Sequence, residues 1–136
     1  MKHAKFSLLV CFSVLIISML NISCNSGEDE NSIIYSGIYQ VDVIEGGVTQ
    51  SHRWQMTQVG AHIVIEELDS GINVEGQVSG NILIVPQQNV IYQGESYEVA
   101  MSISFENNGM DFAGTKTTTM DGFSYKESLR GTSLLR

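Results

Sequence analysis

The sequence predicts an all-β domain, an antiparallel up-and-down β-barrel of about eight strands, and three observations carry that expectation. From Ile33 onward β-branched and aromatic residues alternate with polar ones, which is the period of a half-buried strand. Turn-forming residues recur every 8 to 14 positions. Proline occurs once, at Pro86, and no stretch sustains a 3.6-residue apolar period.

The chain opens with a segment of a different kind. Met1 to Lys5 carries two lysines and a histidine, Phe6 to Leu20 is almost wholly apolar, and Ser23 precedes Cys24, the three-part layout of an export signal. The apolar run is about 15 residues, short of the roughly 20 that span a bilayer, and no basic stop follows it. Leu20-Asn21-Ile22-Ser23-Cys24 resembles the cleavage site of bacterial lipoproteins, which implies removal of residues 1–23 and a lipid on Cys24. Cleavage would also remove Cys11, so Cys24 would be the one remaining thiol and no intramolecular disulfide could form.

Lys2 and Lys5 would leave with the signal while all 15 acidic residues stay, so the charge falls from −8 to −10. That balance repels phosphate backbones, and no basic cluster interrupts it, which argues against nucleic acid and against a polybasic membrane patch. Residues 24–34 form an acidic tether in which NSGEDENS contains no apolar residue. Acids just after a lipidated cysteine resemble the surface-export signal of some Gram-negative gut bacteria; a plain hydrophilic spacer is the alternative. Residues 35–136 are then one domain, large enough for one core and too small for two.

Within that domain a two-residue turn fixes which residues face each other. A turn at Gly46-Gly47 sets Val43 against Gln50, Val41 against His52 and Tyr39 against Trp54, and Tyr39, Val41, Trp54 and Met56 then share one face. Asn108-Gly109 sets Phe105 against Phe112 and Ile103 against Gly114, and brings Glu106 opposite Asp111, a like-charge pair. Asp121-Gly122 sets Met120 against Phe123, Thr118 against Tyr125, Lys116 against Glu127 and Gly114 against Leu129. Val59-Gly60, Asp69-Ser70-Gly71 and Ser79-Gly80-Asn81 read as short turns, with Ile63, Ile65, Ile72, Val74 and Val78 inward. For Asn81 to Val85 the inward face is left open. Pro86 to Glu95 reads as the one long connection, and its apolar Val90, Ile91 and Tyr92 suggest a lid or plug at one barrel end. Eight such strands close into a barrel or fold into two packed sheets, and the nearest-neighbour hairpins favour closure.

Gly37-Ile38-Tyr39 at the first strand, Trp54-Gln55-Met56-Thr57-Gln58-Val59-Gly60 on the second, Val78-Ser79-Gly80-Asn81-Ile82 and Ile84-Val85-Pro86 carry a further resemblance. Over most of residues 35–131 the chain resembles the small lipocalin-like β-barrel lipoproteins of Gram-negative bacteria. The resemblance implies a lipid-anchored outer-membrane location, a binding role and no catalytic residue.

The residues themselves name no reaction. No G-x-S-x-G elbow is present, and His52 and His62 lack the further ligands a metal site needs. Glu66 and Glu67 point to opposite sides of a strand and cannot act together on one substrate, although Glu66, Glu67 and Asp69 cluster near a turn. Neither catalysis, nor a metal, nor a cofactor is expected. Lys116 and Glu127 face each other on the inward side, where they would brace the strands, fix a polar ligand group or sit at a wet barrel end. The inward rings Tyr39, Trp54, Tyr97, Phe105, Phe112, Phe123 and Tyr125 suggest a filled middle with a ligand near one mouth. Trp54, Met56, Met101, Lys116, Tyr125 and Glu127 are the candidate contacts, with Met120 as further adaptable lining and Ile91 and Tyr92 in the lid. A small apolar or amphipathic ligand is the leading expectation. Docking of the sheet surface or the 86–95 segment on an outer-membrane protein is the second.

Overall fold

Gly46 and Gly47 both have positive φ, 55° and 81°, as a tight two-residue hairpin turn requires. The register that follows sets Tyr39 against Trp54, Val41 against His52 and Val43 against Gln50, as the sequence predicts. In the computed structural model, which describes residues 33–135, repetition of that unit gives a closed barrel. Its strands are β1 (Gly37–Glu45), β2 (Val48–Val59), β3 (His62–Glu67), β4 (Asn73–Ser79), β5 (Ile82–Tyr92), β6 (Glu95–Glu106), β7 (Asp111–Met120) and β8 (Phe123–Leu135). Every strand pairs antiparallel with its sequence neighbours, and β8 closes on β1. The signal, Cys24 and the tether as far as Ser32 lie outside the described residues.

The predicted β7–β8 register holds throughout, including Lys116 against Glu127. Phe105 faces Phe112 and Glu106 faces Asp111 as expected, but through a wider connection than two residues, with a 3-10 turn at Asn107–Gly109. The Asn107 side-chain amide donates to Asp111 at 2.6 Å, which offsets the like-charge opposition. The open question at Asn81 to Val85 resolves through a two-residue turn: Leu83 and Val85 are buried, and Ile82 and Ile84 face solvent.

Two expectations fail. Residues 86–95 are not a loop or lid, because β5 runs on to Tyr92 and turns tightly into β6 through Gln93 and Gly94. Pro86 sits inside that strand at a bulge, where two β5 residues, Pro86 and Gln87, stand against one β6 residue, Ala100, and a missing N–H does no harm there. The extra residue flips the parity, so Val90 turns inward and Ile91 outward, 75% exposed. Phe123 shares the inward parity but lies beyond the rim beside the β7–β8 turn and is 80% exposed.

The lumen is filled from one end. Tyr35, just before β1, stacks on Phe105 with ring centroids 3.9 Å apart, and its hydroxyl donates to the Gly80 carbonyl at 2.9 Å. The Tyr39 hydroxyl donates to the Gly109 carbonyl at 2.9 Å, tying the 107–110 turn across the same end. Phe112 packs against Tyr39 and Trp54, and its ring lies where a Cβ on Gly131 would be, so the close approach needs that glycine. Ile63, Leu83, Ile103 and Leu129 complete a dry core over the plugged half. Many outward positions are polar, for example Gln40, Asp42, Ser51, Arg53 and Gln55, then Thr115, Thr117 and Thr119, while β5 turns Ile82, Ile84 and Ile91 to solvent.

Candidate functional site

Toward the end formed by the 46–47, 68–72, 93–94 and 121–122 turns, the inward residues become polar or small, and the lumen opens. The resulting cavity is about 360 Å³ and open to solvent. Its wall takes residues from all around the barrel: Val43 and His52, Glu67 and Ile72, Val90 and Tyr92, Tyr97 and Val99, Lys116 and Thr118, Tyr125 and Glu127. Below it a recess of about 40 Å³, reaching Trp54, Val74 and Met101, shares Glu67, Ile72, Val99 and Lys116 with the larger space.

Two charge pairs line this mouth. Lys116 Nζ lies 3.5 Å from Glu127 Oε2, without hydrogen-bond geometry, and the two side chains are 21% and 12% exposed. His52 Nδ1 lies 3.2 Å from Glu67 Oε1. Each carboxylate therefore has a partner of potentially opposite charge inside the lumen, as partly desolvated charges require.

The hydrogen bonding is incomplete. Trp54 Nε1, Thr118 Oγ1 and Glu127 Oε2 are buried and have no hydrogen-bond partner in the protein. Trp54 is 2% exposed at the recess and Thr118 6% exposed in the cavity wall. Buried polar atoms without a hydrogen bond in the protein are uncommon and cost about 1–3 kcal/mol each, so their concentration around one open space makes it the candidate site.

Three phenols ring the mouth: Tyr92, Tyr97 and Tyr125. The Tyr97 hydroxyl donates to Glu95 Oε2 at 3.1 Å. That hydrogen bond, with smaller contributions from desolvation and the neighbouring charges, holds the Tyr97 phenol above its ordinary value of 10.0.

Of the sequence-predicted contacts, the barrel brings Lys116, Tyr125 and Glu127 together in the cavity and Trp54 and Met101 in the recess. Tyr92, expected in a lid, is part of the wall. Met56 lines neither space; it is packed within the core nearer the plugged end. Ile91 points away from the lumen on the outer face of β5, and Met120 is absent from both linings. The His52–Glu67 pair and Thr118 did not stand out in the sequence, although the signal was there. Ile63 and Ile65 inward puts Glu67 inward by parity, and Thr118 faces Tyr125 across the β7–β8 register. Among the described residues no three His, Cys, Asp or Glu side chains come close enough to share a metal ion.

No protein-family model matches this chain, and no curated protein is similar to it.

Proposed function

We propose that this chain is a non-enzymatic, lipid-anchored barrel of lipocalin-like build that takes a small amphipathic molecule into its open mouth. The observation that carries the reading is the solvent-open cavity of about 360 Å³, walled by seven of the eight strands and the 68–72 turn and lined by polar and apolar surface in similar measure. It falls at the small end of the roughly 300–1,000 Å³ common to ligand pockets. The paired charges and the Trp54, Thr118 and Glu127 atoms that make no hydrogen bond favour an amphipathic ligand over a purely apolar one, because a hydrocarbon would leave those atoms without one.

The anchor rests on Cys24 and the acidic tether after it. The described chain enters the barrel at the plugged end, beside Tyr35. An outer-membrane location is part of the same proposal and rests on the resemblance to bacterial lipoproteins.

Native mass spectrometry of the protein isolated from its own cell envelope tests the reading. A co-purifying small molecule, lost from a variant with a blocked mouth such as Thr118→Trp, supports it. A co-purifying protein with an empty barrel supports the docking alternative, for which the exposed Ile82, Ile84 and Ile91 along the outer face of β5 provide an apolar ridge. Palmitate labelling of Cys24 tests the anchor, and labelling that survives Cys24→Ala would remove it.

A further inference from the structure

We infer that the mouth is built for a neutral, hydroxyl-bearing ring, a saccharide, with the ring over the tyrosines and its hydroxyls at the polar groups below; this rests on the ligand-binding reading above. Three sets of residues lead to it.

The first is the charge arrangement. Lys116 with Glu127, and His52 with Glu67, already form opposed pairs inside the lumen. A carboxylate or phosphate head entering beside Lys116 would meet Glu67 and Glu127. An ammonium head approaching Glu127 would meet Lys116. Either charged head would have to displace the Lys116–Glu127 pair, and a pair broken in a partly dry lumen is costly. A neutral ligand leaves both pairs intact.

The second is the set of unpaired atoms. Trp54 Nε1 can only donate, Glu127 Oε2 can only accept when ionised, and the Thr118 hydroxyl can do either. A hydroxyl is the smallest neutral group that both donates and accepts. One molecule carrying several hydroxyls on a rigid frame meets all three needs, whereas an ester or ether only accepts and a lone amide has its donor and acceptor fixed at separate ends.

The third is the rim. Tyr92, Tyr97 and Tyr125 offer flat apolar faces with polar edges at the entrance, and the recess beneath them ends at Trp54. The C–H face of a sugar ring suits such surfaces, and the recess of about 40 Å³ has room for a hydroxyl or hydroxymethyl group and little more.

Trp54 is the chain's single tryptophan, so its emission reports on the recess without labelling. The full chain would be titrated with neutral sugars (glucose, galactose, mannose, N-acetylglucosamine, maltose and cellobiose) and, separately, with hexanoate and hexylamine. The inference expects saturable change with at least one sugar at millimolar concentration or below. It also expects Thr118→Val, which removes the hydroxyl and keeps the shape, to weaken that sugar by about fivefold to tenfold, the worth of one hydrogen bond. Saturation by hexanoate or hexylamine with no response to any sugar would overturn the inference and leave the ligand-binding reading in place. A sugar response untouched by Thr118→Val would place the sugar outside this mouth and also overturn it. Silence from every probe overturns it too, while the native mass spectrum separately decides whether the mouth holds any molecule.

Discussion

At the scale of single residues, Lys116 and Glu127 decide how wet the mouth is. Both face the lumen, but their exposures of 21% and 12% and their place beside an open cavity make them partly hydrated rather than sealed. A sealed pair loses about 3–5 kcal/mol when one member is removed, and a surface pair less than about 1. Lys116→Met is therefore expected to cost about 1–2 kcal/mol in urea denaturation, because it strands the Glu127 carboxylate. Changing both to apolar residues of similar size, Lys116→Met with Glu127→Leu, should bring stability back to within about 0.5 kcal/mol of the parent. A single-mutant loss below about 0.5 kcal/mol would mean that Glu127 is fully hydrated, and the lumen would then be no site for discriminating charge. The pairing was legible in the sequence because the Asp121-Gly122 turn dictates it. The depth of the pair was not, since register sets which face a side chain takes and says nothing of how far the filling of the lumen reaches.

At the scale of elements, β5 shows both the strength and the limit of reading strands by alternation. The three hairpins whose facing residues the sequence sets, at Gly46-Gly47, Asn108-Gly109 and Asp121-Gly122, came out in register, Tyr39 against Trp54 and Thr118 against Tyr125 among them. The β5–β6 hairpin did not, for two local reasons. Its turn begins with Gln93 in the left-handed region, φ 52°, where Asn, Asp or Gly is the usual signal. Its strand contains Pro86 and a one-residue bulge, so the apolar positions change parity midway and imitate an irregular segment. The bulge has a further consequence. β4 and β5 pair only from Gln77 to Ser79 against Ile82 to Ile84, and beyond that point the Gln88 side chain takes over. Its Oε1 accepts from the Glu75 backbone N–H at 3.0 Å, and its Nε2 donates to the Glu75 carbonyl at 2.9 Å. One side-chain amide thus stands in for a missing stretch of strand. Gln88→Ala should cost about 1–2 kcal/mol, two modest hydrogen bonds with water able to replace part of them. The more specific readout is hydrogen exchange, in which the Glu75 amide should lose protection while amides of β1 and β2 keep theirs. Unchanged exchange at Glu75 would show that β4 and β5 are held without the strap.

At the scale of the whole molecule, the barrel divides its two tasks between its ends. The plugged end carries stacked Tyr35 and Phe105, the Tyr39 and Tyr35 hydroxyls tied to turn carbonyls, and Phe112 over Gly131. The open end carries the cavity, the paired charges and the unpaired polar atoms. Residues that leave polar atoms unpaired cost stability, and an eight-stranded barrel with no free edge can carry that cost where its other half is densely packed. The asymmetry predicts unequal responses to the same kind of truncation. Tyr35→Ala removes a fully packed ring and a part-buried hydrogen bond, and should cost about 3–5 kcal/mol in urea denaturation. Tyr92→Ala removes a ring of the same size from the rim, which no core residue needs, and should cost less than about 1 kcal/mol. Ligand response should run the other way: Tyr92→Ala weakens whatever binds the mouth, and Tyr35→Ala, at temperatures where it remains folded, leaves that affinity within about twofold. Equal stability losses at both ends would mean that the rim is part of the core, and the open lumen would then be a packing defect rather than a site.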